Sequence, residues 1–165
     1  SKVTVPSVCR RHERTRYMQD VMRNQFYKQR SDFELSAIER DKTQVMPEGV
    51  SVQTDIPYMN DGDKAHRMDV YRPEWSEDTT LPVVINIHGG GLLIGSKEFN
   101  RFFCAKLSRL GYLVFSIDYR LVPDCMVFDQ FSDVCNAFKY INAHLGEYNG
   151  DSGHIYGVAD LSLIH

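Results

Sequence analysis

The spacing of apolar residues changes near residue 50, from a helical period to a strand period. Over residues 8–29 the helical spacing predicts an amphipathic helix with Met18, Val21, Met22, Gln25 and Phe26. Ser31 and Glu34 match the capping-box pattern and predict the start of a second, short helix that ends before Met46. These two helices form an N-terminal segment, residues 1–49, which either packs as a bundle or covers another part of the molecule.

Two short runs after Val50 alternate between apolar and polar residues, as half-buried strands do. The turn between them contains Asp61, Gly62 and Asp63. We therefore expect an antiparallel hairpin at one edge of a sheet. A pair of aspartates around a glycine also occurs in calcium loops, but the other ligands of an EF-hand are missing, so a plain turn is favoured.

Residues 83–87 are apolar except for Asn86, and they run directly into His88 and three glycines. This pattern predicts a strand buried on both faces that ends in a loop. Because Gly89, Gly90 and Gly91 carry no Cβ, the backbone there can approach a ligand closely and direct N–H groups toward it. Such a loop is suited to holding a negatively charged oxygen.

The rest of the chain alternates between helical and strand patterns. A helix capped by Ser96 and ending at Gly111 carries an apolar face of Phe99, Phe102, Phe103, Leu107 and Leu110. A buried strand over 112–117 follows. The next helix ends at Gly146, and its apolar stripe comprises Phe128, Phe131, Val134, Cys135, Phe138, Ile141 and Leu145. Residues 154–159 predict one more parallel strand.

These elements predict an α/β fold. Its sheet has about five strands, mostly parallel with an antiparallel N-terminal hairpin, and helices on both faces. Because no helix follows the strand at 154–159 in this sequence, one face of the sheet should be uncovered there. We expect that face to associate with a second copy of the chain, a complementing chain or a missing segment.

Composition narrows the class of protein. The chain has 165 residues, of which 42% are hydrophobic and 25% charged, which suits one globular domain. A net charge of -3 argues against nucleic-acid binding, and the basic cluster at residues 10–16 is expected to be a solvated helix face. No membrane span or signal peptide is predicted, so a cytoplasmic location is expected. The four cysteines form no CxxC pair and are expected to be buried free thiols.

Two motifs resemble those of a known family. His88-Gly89-Gly90-Gly91 resembles the HGGG loop of the hormone-sensitive-lipase-like esterases and lipases, a branch of the α/β-hydrolases, and residues 118–123 resemble its DYRLAP segment. Asp133, with Ala137 and Tyr140, resembles the helix that follows. The resemblance extends from about residue 52 to residue 160.

The resemblance implies roles for these residues. Gly90 and Gly91 would donate their N–H groups to the oxyanion of a tetrahedral intermediate, and His88 and Gly89 would support the loop. The substrate would be a small-molecule carboxylic ester with a small or medium acyl group, hydrolysed by a serine nucleophile without a metal or organic cofactor. Residues 1–49 would form a cap segment, and residues 50–165 an incomplete hydrolase core.

The family's third motif, the nucleophile elbow G-D-S-A-G, is altered in this sequence. Asp160 aligns with the family's aspartate, but Leu161 occupies the nucleophile position. Ser162, one residue later, is the remaining candidate nucleophile, and the closing glycine of the elbow is absent. His165 is too close in sequence to serve as its base, and no acid follows. The chain is therefore expected to be the N-terminal half of an esterase and to be inactive by itself.

A second interpretation comes from a different functional class. The chain would then be a catalytically inert scaffold or binding module that retains the glycine loop and pairs its open sheet with another polypeptide. Turnover of a chromogenic ester distinguishes an active esterase from these inert alternatives.

Overall fold

A computed structural model describes residues 7–160 and the side chains of residues 13–160. The helices and strands are, in chain order, α1 (Ser7–Asp41), β1 (Val50–Pro57), β2 (Arg67–Pro73), β3 (Leu81–Ile87), α2 (Arg101–Arg109), β4 (Leu113–Ile117), α3 (Val127–His144) and β5 (Gly150–Ala159). Single turns of 3-10 helix lie at Glu74–Ser76 and Leu145–Tyr148. The described helices include none long and apolar enough to cross a membrane.

One five-stranded sheet, in the order β1-β2-β4-β3-β5, organises the molecule. The β1–β2 hairpin is antiparallel, and β2 also pairs antiparallel with β4. Strand β3 runs parallel to both β4 and β5. The predicted hairpin and the three parallel strands are thus confirmed. Because the carboxyl ends of parallel strands meet at one edge of a sheet, the segments that follow β3, β4 and β5 converge there.

Apolar layers cover both faces of the central strands. On one face Val83, Ile85 and Phe115 pack with α3, whereas Val84 and Val114 on the other face pack with α2. Alternate residues of β3 therefore serve opposite layers, which explains its nearly continuous apolar sequence. Complete burial of each such side chain stabilises the fold by about 1.5–3 kcal/mol.

The prediction of two N-terminal helices is wrong, because α1 is one continuous helix of 35 residues. Its interior contains Ser31 and Glu34, the residues expected to start a second helix. A serine inside a helix costs only a few tenths of a kcal/mol relative to alanine, whereas a new helix start leaves unpaired N–H groups. The ion pair between Lys28 and Asp32, 2.6 Å apart, also spans the predicted break.

The apolar residues of the first half of α1 are exposed. Met18, Val21 and Met22 have relative exposures of 57%, 42% and 52%. The helix predicted there is confirmed, but the apolar residues that made it amphipathic do not pack against the sheet. Arg14 and Arg16 are also exposed, as the interpretation of the basic cluster as a solvated face requires.

Helix α2 begins four residues later than predicted, at Arg101 with Asn100 as its N-cap. Residues 97–100 form turns because the backbone of Lys97 is held by β4 and the segment after it. The Lys97 N–H donates to Asp118 Oδ1 at 2.6 Å, and Ser116 Oγ donates to the Lys97 carbonyl at 2.8 Å. These bonds fix the chain in a non-helical path, so Ser96 is not a helix cap.

Helix α3 has the predicted position, but part of its apolar stripe faces outward. Phe128 and Phe131 are 83% and 62% exposed, whereas Gln130 and Asp133 on the same helix are buried. The two polar residues take the inner positions because both bond to the segment after β4. Of the cysteines with described side chains, Cys104 is buried, but the expectation of burial is wrong for Cys135, which is exposed.

Candidate active site

The glycine loop follows β3 and has an unusual backbone conformation. Gly90, Gly91 and Leu92 have φ values of 130°, 60° and 69°, all in the region that L-residues avoid. The N–H groups of Leu93 and Ile94 both donate to the Gly90 carbonyl at 3.1 Å and close a tight turn. Gly90 and Gly91 adopt positive φ with little strain because they have no Cβ, whereas Leu92 carries strain of about 1–2 kcal/mol.

The backbone N–H groups of Gly90 and Gly91 have no backbone acceptor among the described residues. Gly91 is exposed, and a Cβ added there would meet no atom within 4 Å. Adjacent unpaired N–H groups in a turn form a concave site that favours an anion. The loop therefore has two N–H donors without a backbone acceptor in the described part of the chain, and it is open at Gly91.

Gly89 and Gly90 lie too close to other backbone atoms to carry a side chain. A Cβ on Gly89 would lie 2.0 Å from the carbonyl oxygen of Asp160, at the end of β5. A Cβ on Gly90 would lie 2.1 Å from the carbonyl oxygen of Ile94. The glycines thus allow the loop to fold tightly on itself and against the segment after β5.

His88 is buried beneath the loop. Its ring stacks on Tyr119 with centroids 4.4 Å apart, and the Tyr119 hydroxyl donates to the His88 carbonyl at 2.8 Å. The ring atom Nδ1 lies 3.0 Å from the Gly89 carbonyl oxygen. Burial lowers the pKa of His88 to about 4, so the imidazole is neutral at neutral pH. These contacts suit a structural support better than a proton carrier.

The segment after β4 holds the outer side of the loop. The Leu92 carbonyl accepts hydrogen bonds from the Val122 N–H at 3.0 Å and from Gln130 Nε2 at 2.9 Å. Gln130 Nε2 also donates to the Arg120 carbonyl at 2.8 Å. The resemblance indicated that the segment after β4 belongs to the site. Sequence reasoning missed Gln130, because nothing in the sequence distinguishes it from other polar residues of a helix.

Arg30 of α1 reaches the same region, and sequence reasoning missed it too. Its guanidinium donates to the carbonyls of Leu93 and Val122 and to the carboxylate of Asp124. No local pattern distinguishes this arginine from the exposed arginines elsewhere in α1. The contact depends on tertiary structure alone, because the partners lie more than 60 residues away in the chain.

A buried charged network anchors the segment after β4 to α3. Asp133 accepts from Arg120 Nε at 2.9 Å and from Arg120 Nη2 at 2.7 Å. His66, from the turn between β1 and β2, places Nε2 3.0 Å from Asp133 Oδ1 and Nδ1 2.6 Å from Asp61. Burial alone raises the pKa of Asp133, but the hydrogen bonds from Arg120 outweigh it and the net pKa is lowered. The carboxylate is therefore ionised and paired.

A second buried charge lies under the turn after the glycine loop. Lys97 Nζ is 3.0 Å from Asp69 Oδ1, 3.1 Å from Asp55 Oδ1 and also bonds Glu98. Among the described side chains, residues 13–160, there is no group of three or more His, Cys, Asp or Glu arranged to hold a metal ion. The two buried polar clusters are ion pairs, one around Arg120 and the other around Lys97.

Asp118 should make stability fall as pH rises. Burial, partly offset by the hydrogen bond from the Lys97 N–H, raises the pKa of Asp118 from 3.8 to about 7. The unfolded chain releases this proton near pH 3.8 and the folded chain only near 7, so folding becomes less favourable between these values. The loss of unfolding free energy over this pH range should be on the order of 2–4 kcal/mol. We expect Asp118→Asn to remove it.

Urea unfolding of both proteins at a series of pH values measures this difference. Asparagine can still accept the Lys97 N–H, so the variant should fold. Parallel pH profiles for the wild type and Asp118→Asn would contradict the raised pKa.

The structure brings His88, Gly89, Gly90 and Gly91 together with the end of β5, but not every predicted site residue can be placed. Ser162, with His165, lies outside the described residues. Asp160 is the last described residue, and its N–H donates to the Ile87 carbonyl at 3.1 Å. The other histidines with described side chains have structural or surface positions: His66 in the buried network, His144 against the Tyr140 carbonyl and His154 beside Asp151.

Comparison with known proteins relates this geometry to esterases. A family model described as BD-FAE matches residues 68–159, more than half of the chain. A probable isoprenylcysteine alpha-carbonyl methylesterase of Arabidopsis thaliana is 33% identical over 91 residues, covering 55% of this chain and 19% of that protein. A probable carboxylic ester hydrolase of Mycobacterium tuberculosis is 32% identical over 103 residues, covering 57% and 24% respectively.

Solved structures of esterases also match the fold of this chain. Esterase B of Lactobacillus rhamnosis matches with a TM-score of 0.83 and 26% identity over 87% of this chain and 46% of the esterase. The hyperthermophilic esterase of Pyrobaculum calidifontis matches with a TM-score of 0.66 and 29% identity, over 82% and 42%. These matches confirm the predicted fold class as part of an α/β-hydrolase fold. The chain spans about a fifth of the curated relatives' length and less than half of these two esterases.

Proposed function

The chain belongs to the BD-FAE family and has the fold of α/β-hydrolase esterases, and on this basis we propose that it supplies the oxyanion-binding part of a carboxylic-ester hydrolase. One observation carries the proposal: the N–H groups of Gly90 and Gly91 have no backbone acceptor among the described residues, and the loop is open to solvent at Gly91. In ester hydrolysis the carbonyl oxygen becomes an oxyanion, and each fixed donor is worth about 3–4 kcal/mol of barrier.

The surrounding residues support this role. His88 and Gly89 act as the loop support, since the neutral His88 ring stacks on Tyr119 and Gly89 packs against Asp160. Donors fixed before the reaction need no reorganisation as negative charge develops. No cofactor is required, because backbone dipoles provide the stabilisation.

The substrate we propose is a small-molecule carboxylic ester with a small or medium acyl group. The named relatives are a methylesterase and a carboxylic ester hydrolase, which supports an ester but does not choose its acyl group. Residues 1–49 act as a cap segment beside the loop, since α1 contacts the loop through Arg30. Residues 50–165 contribute the hydrolase core.

The altered elbow leads to a prediction about turnover. We expect the purified chain to hydrolyse 4-nitrophenyl butyrate no faster than its Ser162→Ala variant, because Leu161 occupies the nucleophile position of the motif. The production of 4-nitrophenolate measures both rates. Turnover that Ser162→Ala abolishes would establish Ser162 as the nucleophile, so it would support ester hydrolysis and contradict a defective elbow.

The alternative function, a scaffold or binding module, rests on exposed apolar residues of the sheet and α3. β5 is an edge strand whose Ile155 and Tyr156 are 36% and 50% exposed, and Phe128 and Phe131 of α3 are more exposed still. Such surfaces promote association with a second copy or a complementing chain.

Sedimentation velocity tests this association. We expect the purified chain to form oligomers, and Ile155→Lys with Tyr156→Lys to shift it toward a monomer, because buried lysines would oppose contact. The matched pair Lys139→Glu with Lys106→Glu changes exposed charges on α3 and α2 and should leave the distribution unchanged. A wild-type chain that is monomeric at all concentrations would contradict the alternative.

A further inference from the structure

We propose that Arg30 is a positioning residue that holds the oxyanion loop in its donating conformation from the cap helix. This inference deepens the proposed function and rests on it. Arg30 lies in α1, outside both sequence motifs, yet its side chain bonds to the segments that contain each of them. The cap segment would then contribute to catalysis through loop geometry as well as by covering the site.

All three guanidinium nitrogens are used. Nε donates to the Leu93 carbonyl at 3.1 Å, Nη2 to the Val122 carbonyl at 2.9 Å, and Nη1 to Asp124 Oδ2 at 3.0 Å. The Arg30 side chain is 19% exposed. A planar guanidinium fixes the directions of its donors, so a single side chain sets the spacing between the glycine loop and the segment after β4.

Leu93 connects the hydrogen bond from Arg30 to the N–H donors of Gly90 and Gly91. Its N–H closes the turn on the Gly90 carbonyl, while its own carbonyl is bound by Arg30. The three residues before it have positive φ, including the strained Leu92. If Arg30 no longer held the Leu93 carbonyl, the strained turn could relax, and rotation about Gly90 and Gly91 would turn their N–H groups away from the open space.

Asp124 and Tyr27 orient the arginine. The Tyr27 hydroxyl donates to the second oxygen of Asp124, and the guanidinium carbon of Arg30 lies 5.5 Å from the centroid of the Tyr27 ring. The hydrogen bond from Tyr27, followed by that from Arg30, lowers the pKa of Asp124. Asp124 is therefore ionised at neutral pH, and its charge attracts the guanidinium.

Lys28 offers a matched control on the same helix. It is a cation two residues from Arg30, its side chain is 75% exposed, and its ion pair is with Asp32 of α1 itself. Lys28→Ala therefore removes one α1 charge without changing a contact to either loop.

Amide hydrogen exchange by NMR tests the positioning role in the whole chain. In Arg30→Ala we expect the amides of Leu93, Ile94 and Val122 to exchange about tenfold faster than in wild type, since a hydrogen bond to a charged group is lost. Lys28→Ala should leave these rates unchanged. Methylguanidinium added to Arg30→Ala should restore slow exchange, which a general loss of packing would not permit.

Sodium butyrate serves as the probe of the donors. We expect it to shift the Gly90 and Gly91 amide resonances in wild type and Lys28→Ala, to bind Arg30→Ala about tenfold more weakly, and to regain affinity with methylguanidinium. Arg30→Lys, which can pair with Asp124 but cannot reproduce the planar fork, should give an intermediate affinity and carries the test if Arg30→Ala does not fold.

Three outcomes separate this inference from the proposed function. Equal exchange rates and equal Gly90 and Gly91 shifts in the Arg30 variants and Lys28→Ala would overturn the positioning role, whatever the affinity for butyrate. Faster exchange in the Arg30 variants, reversed by methylguanidinium, would support positioning. If wild type then showed no butyrate response, the proposed oxyanion site would fail while the control of loop geometry stood.

Discussion

Replacing Asp133 by asparagine should lower the free energy of unfolding by about 1.5–3 kcal/mol, the range for losing a hydrogen bond to a charged group, because Asp133 is buried while its partner Arg120 is 33% exposed. The Asp133 side chain is 1% exposed and accepts two side-chain hydrogen bonds from Arg120. It also lies 3.0 Å from Nε2 of the buried His66. Asparagine has nearly the same volume but no charge, so Arg120 would lose the carboxylate that compensates it. Urea unfolding followed by circular dichroism at pH 7 measures the change.

Asp32→Asn is the matched control for Asp133→Asn. Asp32 pairs with Lys28 on the surface of α1, where both side chains are more than half exposed. Surface ion pairs contribute about 0–1 kcal/mol, so this variant should be close to wild type. Equal losses of stability from the two substitutions would show that the buried network does not hold the segment after β4.

Gly90→Ala should be strongly damaging, because it combines overlap with the backbone and a positive φ. The new Cβ would lie 2.1 Å from the Ile94 carbonyl oxygen, and alanine would have to adopt a φ of 130°. Overlap with backbone and strain each cost about 1–3 kcal/mol, so we expect a total loss of about 2–6 kcal/mol or a rearranged loop. Thermal and urea unfolding give the stability, and amide shifts of Gly91 and Leu93 report the rearrangement.

Alanine substitutions at two other glycines provide comparisons for the stability loss in Gly90→Ala. Gly91→Ala has open space but a φ of 60°, so it should cost about 1–2 kcal/mol. Gly146→Ala has no neighbouring atom within 4 Å and should be neutral or stabilising by up to about 1 kcal/mol. If Gly90→Ala were as mild as Gly146→Ala, the tight turn at Ile94 would not be present in solution.

The sheet could be predicted because its strands carry two clear signals. Alternating residues in β1 and a nearly continuous apolar run in β3 report one-sided and two-sided burial respectively, and the intervening helices require parallel pairing. The ends of the helices, and which of their faces are buried, were harder to predict from the sequence. Ser31 has a capping pattern that a continuous helix overrides, and Phe128 has an apolar pattern that the inward Gln130 and Asp133 override.

The candidate site was predictable only where local sequence encodes it. Three consecutive glycines after a buried strand indicate close backbone approach, and the resemblance added the segment after β4. Arg30 and Gln130 could not be found this way, because their partners are backbone carbonyls, which every residue has. Hydrogen bonds to carbonyls leave no complementary residue in the sequence, so only the fold reveals them.

The position of a carboxylate bound to the crystalline chain tests the central claim most directly. In crystals grown with sodium butyrate, the claim predicts one carboxylate oxygen about 2.7–3.1 Å from the backbone nitrogens of both Gly90 and Gly91, the spacing that an oxyanion requires. Butyrate bound elsewhere, with these two N–H groups turned toward acceptors in the protein, would contradict it.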